Sequence, residues 1–504
     1  MHIKEVFFLK LTILFLCISL QPSNARSNFA RERENNDMPS IAVKSGMNLV
    51  GKVLDGTTPL LGVVVSDGYT TTVTDNNGLY QLKANCKAEF VFISVPADCE
   101  IPVEDGFPKF YQPISVYENE IIEKNFYLKR GAIKEHFCLF AMADVQIGDK
   151  MDAAYLSYVD IPEMKKFIRA DLSTIPLYGI SLGDLVWDDL SYYSIYKAQI
   201  KRLSIPFFSV VGNHDHNKHI INNDGKSVSE FKREFGPTYY SYNIGQCHFV
   251  VLDDIIFMGG NQRQNKGYRG EITENQLKWL KSDLKYISKD KLIIVCLHIP
   301  TTQRDHQLEV VNKERLYHLL QGYQVQILSG HTHNNYTSII SGRIQENTIG
   351  AVQGGLWSGD LCNDGSPRGF AIYEFEGNQI KNCYYKGTLH SKDYQMFLYK
   401  PGRAVSKRYR DGILINIFAW NPNWCVKAYE NGTYVDDLKN IREIDPRAYE
   451  AIYGMDKPAC RQIQKPDRMN EHCFYYKPSS NWSTVTIEAI DPYGNIYRQS
   501  ISSD

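Results

Sequence analysis

Five apolar, strand-length runs in the middle of this chain each break off directly into polar residues, and this repeated ending limits the fold more than any other feature. The run 137–143 ends at Asp144-Val145-Gln146, and the run 177–182 at Gly183-Asp184. The run 206–211 ends at Gly212-Asn213-His214-Asp215, the run 292–297 at His298, and the run 325–328 at Ser329-Gly330-His331-Thr332-His333. Strands apolar at nearly every position must be covered on both faces, and helical segments lie between them, so the middle of the chain is expected to be a layered α/β domain. The clearest helix is 273–288, where Thr273 and Gln276 form a capping box and Leu277, Leu280, Leu284 and Ile287 make one apolar stripe. Ligands of open α/β sheets bind beyond the carboxyl ends of the strands. The five endings are therefore expected to meet at one edge of a single sheet.

The residue types at those endings suit metal ions. Carboxylate oxygen, amide oxygen and neutral imidazole are the donors that hold Zn, Mn or Fe. His331 and His333 stand two apart, so an extended backbone turns both to one face. Gly183, Gly212 and Gly330 are expected to let the backbone turn tightly. A carboxylate such as Asp184 can bridge two cations ~3.5–4 Å apart, and a hydroxide between them is a nucleophile at neutral pH. Taken singly, a Gly-Asp pair is usually a turn and a lone histidine usually a satisfied core residue. Five such endings in order, each closing a buried strand, do not arise readily by accident. No serine, cysteine or further aspartate stands out as a separate nucleophile.

The string Asp144-x-Gln146, Gly183-Asp184, Gly212-Asn213-His214-Asp215, His298 and Gly330-His331-Thr332-His333 resembles the calcineurin-like metallophosphoesterases, over roughly residues 133–340. The stretch Gly354-Gly355-Leu356-Trp357-Ser358-Gly359-Asp360 is similar to the exported bacterial branch, which carries small domains on both sides of the catalytic one. The resemblance implies a four-layer α/β/β/α catalytic domain and hydrolysis of phosphate mono- or diesters by a dinuclear metal centre. It implies that Asp144, Gln146, Asp184 and His333 hold the first metal, and Asp184, Asn213, His298 and His331 the second. His214 then binds no metal but contacts a phosphate oxygen or protonates the leaving alkoxide, help worth ~10²–10⁴ in rate. Most members carry histidine where Gln146 stands. An amide oxygen is a harder, weaker donor, which favours Mn or another oxygen-loving ion and leaves the identity open among Mn, Zn and Fe. Asp188 is expected to orient His214. His216, Trp187, Trp357 and Asp360 are expected at the substrate, with Tyr268 and His306 lining the pocket and Arg263, Arg269 and Arg304 as phosphate clamps. The alternative is a surface or glycan-binding protein with a degenerate phosphoesterase domain.

The flanks have a different texture. Residues 1–25 read as an export signal: Lys4 and Lys10 precede an apolar stretch, Pro22 breaks it, and Ser23-Asn24-Ala25 offers a cleavage site. That stretch is short for a membrane span, and Cys17 leaves an N-terminal anchor as the alternative to soluble export into the periplasm or outside the cell. A polar linker follows over 26–40. Residues 45–131 are expected to form a small β-sandwich, with turn signals at Asp55-Gly56, Asp67-Gly68 and Asn76-Asn77-Gly78. The catalytic domain is expected over 133–388 and a second, mainly β domain over 389–504, with a helical stretch near 445–453. No later segment is long and apolar enough to cross a bilayer. Lysine plus arginine number 56 and aspartate plus glutamate 57, which gives no electrostatic case for nucleic acid as an obligatory partner. The expected partner is a small-molecule or glycan phosphate ester. Of 11 cysteines, Cys138, Cys247 and Cys296 sit in apolar runs as buried thiols, while Cys86 with Cys99 and Cys460 with Cys473 are the candidates for bridges.

Overall fold

Side chains alternate along the central strands, and the alternation divides them between two cores. In β1 (His136–Met142), Phe137, Leu139 and Ala141 face one core, and Cys138, Phe140 and Met142 the other. The computed structural model describes residues 41–259, 267–302, 309–355, 359–453 and 469–504. The expected signal and linker, with Arg263, Arg304, His306, Trp357 and Cys460, lie outside them.

Two central sheets form. The first joins β1 to β2 (Leu177–Leu182), β3 (Phe207–Val210), and two later strands, Gly369–Glu376 and Gln379–Gly387. Strands β1, β2 and β3 run parallel, while Gly369–Glu376 lies antiparallel along the other side of β1. The second sheet is built on β4 (Cys247–Val251), β5 (Leu292–Cys296) and β6 (Gln324–Ser329), also parallel, with Tyr240–Ile244, Tyr336–Ile339 and Ile344–Thr348 at its sides. The expectation of one sheet is thus corrected: the five endings come from two sheets stacked face to face. Phe137 of the first sheet lies 6.2 Å from Phe249 of the second, and Phe208 stacks on Tyr242 at 3.7 Å.

Helices cover the outer faces, giving the four layers. On the first sheet, α1 (Ile161–Asp171) buries Met164 and Phe167, and α2 (Tyr193–Lys201) buries Tyr193, Tyr196 and Ile200. On the second, α3 (Glu274–Asp283) buries Leu277, Trp279 and Leu280. Thr273 caps it by accepting from the Gln276 backbone N–H at 3.3 Å, but the reciprocal half of the expected capping box is missing. The Gln276 side chain pairs with the Asp253 backbone instead, at 2.7 and 2.9 Å, because that backbone is buried and needs partners.

Upstream, a five-stranded and a four-stranded sheet form a small all-β lobe. Its strand Phe90–Ser94 runs on into a parallel bridge between Val95 and Tyr242, which adds the lobe to the edge of the second central sheet. Downstream, two four-stranded sheets enclose their own core of Ile413, Ile415, Ile417, Val426, Phe474 and Ile487, and the expected helix forms over Pro446–Tyr453. No helix among the described residues is long and apolar enough to cross a membrane. Cys138, Cys247 and Cys296 are buried thiols, as expected. The Cys86–Cys99 bridge is not formed: Cys86 points to solvent and Cys99 is half-buried, both free. Cys473 is also a free, buried thiol.

Candidate metal centre

The loops beyond β1, β2, β3, β5 and β6 bring their polar residues to one place, and the backbone is bent to do it. Asp144, Gln146, Asp184, Asp188, His331 and His333 all adopt left-handed φ angles between 43° and 68°, and they make up half of the left-handed non-glycine residues described. Each such residue costs roughly 1–2 kcal/mol, a local cost that tends to gather at functional sites. Gly183 is left-handed too, and a Cβ there would stand 2.4 Å from His298 Nδ1. Gly212 differs from expectation. Its φ of −115° is ordinary, and glycine is required because a Cβ would meet the Asp184 backbone N at 2.2 Å.

The two carboxylates are each tied down by one oxygen. Asp144 Oδ2 accepts from His331 N–H at 2.8 Å, and Asp184 Oδ1 accepts from His214 N–H at 2.9 Å. The other oxygens face inward. Asp144 Oδ1 takes no hydrogen bond among the described residues and stands 3.3 Å from His333 Nε2. Asp184 Oδ2 stands 3.3 Å from His298 Nε2 and accepts from Gln146 Nε2 at 2.8 Å.

His298 is oriented from behind. Its Nδ1 lies 2.8 Å from the Leu182 carbonyl, which can only accept, so Nδ1 carries a proton and Nε2 is the nitrogen left to face the cluster. Around that Nε2 stand Asn213 Oδ1 at 3.1 Å, His331 Nδ1 at 3.2 Å and Asp184 Oδ2 at 3.3 Å. Four donor atoms therefore converge, and ligand atoms of Asp184, His298 and His331 all lie within 4.8 Å of one another. Of the atoms facing inward, buried Asp144 Oδ1 has no hydrogen-bond partner among the described residues. Buried polar atoms are nearly always paired in folded proteins, and a bound cation would give this carboxylate oxygen the partner that the described chain does not.

The electrostatics agree. Burial pushes His298 down, but Asp184 overcomes it and carries the imidazole up to about 10. Burial pushes the Asp184 carboxyl up, yet His298 and His214 hold it below the usual carboxylate range. The carboxylates thus draw positive charge to this spot, which is the demand a divalent cation meets.

His214 stands beside the cluster. Its Nδ1 lies 2.8 Å from Asp188 Oδ1, and the Trp187 ring lies 5.2 Å from its own. Tyr268 meets His331 edge-on at 6.0 Å. His216, expected at the substrate, is only 1% exposed; its Nδ1 pairs with Ser227 Oγ at 2.8 Å and its ring stacks on Phe257. Asp360 is exposed and lies 3.4 Å from Arg368 Nε. Arg269 pairs with Glu271 on the surface.

Several supporting roles escaped the reading of the sequence. Asp215 accepts from Leu185 and Gly212 N–H at 3.1 and 2.9 Å, which ties the β2 loop to the β3 loop. Asp254 accepts from His298 and Ile299 N–H at 3.1 and 2.8 Å. Gln353, fully buried, donates through Nε2 to Gln146 Oε1. Asp254 closes a sixth apolar run, so the strand-ending rule had reach enough to find it. Gln353 carries no such signal.

Comparisons with known proteins follow the same division of the chain. Residues 47–131 match the model for the N terminal of Calcineurin-like phosphoesterase, 142–335 that for Calcineurin-like phosphoesterase, and 346–497 that for the C terminal of Calcineurin-like phosphoesterase. A probable glycerophosphodiester phosphodiesterase of Arcobacter nitrofigilis is 28% identical over 155 residues, 29% of this chain. The match spans about half the length of that relative, 52%. Among solved structures, a dimetal phosphatase from Danio rerio aligns with a TM-score of 0.36 at 17% identity, covering 50% of this chain and 95% of its own. A purple acid phosphatase from yellow lupin, Lupinus luteus, aligns at 0.37 and 17%, covering 50% and 52%.

Proposed function

We propose, from the premise that this chain belongs to the calcineurin-like phosphoesterase family, that it hydrolyses phosphate esters at a centre holding two divalent cations. The observation that carries the reading is the convergence of Asp184, Asn213, His298 and His331 on one point, with Asp144 and His333 paired beside it. Asp144, Gln146, Asp184 and His333 would hold the first cation, and Asp184, Asn213, His298 and His331 the second, so Asp184 is shared. Bound there, such cations would supply Lewis-acid polarisation of the phosphoryl group and acidify water toward a nucleophile at neutral pH. The donor set, mostly oxygen and imidazole, suits Mn, Zn or Fe.

The chain's own residues do the rest. Asp188 holds His214 Nδ1–H, which keeps the ring facing one way and stabilises its charged form. His214 Nε2 then gives a proton or a hydrogen bond to the phosphoryl or leaving oxygen. Trp187 walls the same side. We assign the chemistry to residues 133–388 and a framing role to the two β lobes. The substrate class is a small organic phosphate ester or a phosphorylated glycan. Diesters come first, because the Arcobacter relative is named for one.

The test is hydrolysis of p-nitrophenyl phosphate, its bis ester and glycerophosphodiesters by Mn-loaded enzyme, with metal content measured in parallel. His214→Ala should lower kcat by about 10²–10⁴ and keep its metal. Asp184→Asn should lose both metal and activity. A chain that turns over none of these esters and holds less than about half a metal, after growth in Mn and Zn, contradicts the reading.

A further inference from the structure

Gln146 is the donor by which this chain departs from the histidine of its family, and its surroundings carry a further inference that rests on the metal-centre reading above. As it stands, the Gln146 carboxamide turns its nitrogen to Asp184 Oδ2, 2.8 Å away, and its oxygen to Gln353 Nε2. A cation shared with Asp184 takes the oxygen, since an amide offers lone pairs only there and its nitrogen only donates. Gln353 is completely buried, and its own Oε1 has no hydrogen-bond partner among the described residues. The backbone beside it is fixed: Val352 N–H donates to the Ala143 carbonyl at 2.9 Å, and Gln353 N–H to the Asp144 carbonyl at 3.4 Å. Gln353 is thus anchored to the very segment that carries Asp144 and Gln146.

We propose that Gln353 is the positioning residue of the Gln146 carboxamide for the first cation. When Gln146 presents its oxygen to the Asp184 side, its NH₂ turns to Gln353, and the orphaned Gln353 oxygen is the acceptor that receives it. A half-turn of each terminal amide exchanges the two senses, and O and N are alike enough in size for this to need no repacking. An imidazole at position 146 needs a fixed acceptor for its second nitrogen. A carboxamide there needs a partner that both gives and takes, and a second carboxamide is that partner. Gln146 and Gln353 therefore form a matched pair, in which the buried outer residue holds the inner one as a metal ligand.

The experiment is a Mn titration of the chelator-stripped full chain, following free Mn by its paramagnetic resonance signal. Folding of each variant is checked by its unfolding midpoint in chelator. Wild type should show two binding steps. Gln353→Leu should weaken one of them by about 10–100-fold and leave the other. Gln353→Asn, which keeps the amide but withdraws it by one methylene, should act with the same sign and serves if the leucine variant does not fold. Because Gln353 acts through Gln146, the double variant Gln146→Ala/Gln353→Leu should bind no more weakly than Gln146→Ala alone. Wild-type affinity in both Gln353 variants, or losses that add in the double variant, would overturn the proposal while leaving the metal centre standing. A wild-type chain that takes up no Mn sinks the centre itself, and this pair with it.

Discussion

Asp160 closes a π-helical turn, Leu156–Asp160, and is fully buried 2.8 Å from the equally buried Arg368. Burial pushes its carboxyl up to about 7, although Arg368 pulls the other way and Asp360 adds a smaller push upward. An unfolded aspartate ionises near ~3.9. Between those two values the folded chain keeps a proton that the unfolded chain has lost. The stability from this group is therefore full below about pH 4 and drains as pH rises toward 7. Asp160→Asn removes the titration, so it should gain on wild type by about 1.4 kcal/mol for each pH unit across that window, then level off. Urea midpoints of both chains, measured in chelator over this range, check it; parallel curves would assign the proton elsewhere. At the centre, Asp188→Asn keeps the shape but removes the charge behind His214. It should cost about 10–100-fold in kcat with Mn content unchanged, whereas loss of metal would make Asp188 a ligand support instead.

The loops are held by elements that a reading of the sequence reaches unevenly. Strand endings were legible because a fully apolar run that stops at Asp, Asn or His sets a metal-competent group at the rim of a buried sheet. The number of sheets was not. A continuous apolar run shows that both faces of a strand are buried, but not which neighbour buries each, and Gly369–Glu376 joins β1 from far along the chain. Single polar residues whose work is set by tertiary neighbours were hidden for the same reason. Asp364 is the plainest case. Its Oδ2 accepts from Asn335 N–H at 2.7 Å, two residues past His333, and lies 3.3 Å from His472 Nε2 in the downstream β lobe. Its Oδ1 accepts from Ser366 Oγ at 2.6 Å. Asp364→Ala leaves the buried Asn335 N–H without its acceptor and buried His472 without the carboxylate it faces. It should destabilise the chain by about 3–5 kcal/mol and weaken Mn binding through the His333 loop. Urea midpoint and Mn titration read the two effects, and intact Mn affinity would confine Asp364 to joining the lobes.

The upstream β lobe and the central sheets share a core, whereas the downstream lobe has its own. Leu49, Val53, Val91 and Ile93 of the upstream lobe belong to the same apolar cluster as Phe249, Ile293 and Trp279. The seam between them is also polar: Ser241 Oγ lies 3.0 Å from Ser94 Oγ, and Asn243 Nδ2 donates to the Val95 carbonyl at 3.0 Å. Neither part can open without exposing the other's core, so both should unfold together. A cation that binds the folded centre and not the unfolded chain adds about 2.7 kcal/mol at about 100 times its Kd. Calorimetry of the full chain should therefore show one transition carrying the upstream lobe and the central domain, lowered by chelator and raised logarithmically by added Mn. The downstream core of Ile415, Phe474 and Ile487 is linked to the His333 loop through the Asp364 side chain, and its transition should shift less with Mn in the Asp364→Ala chain than in wild type. A separate transition for residues 45–131 that ignores Mn would mean that the shared core does not couple them.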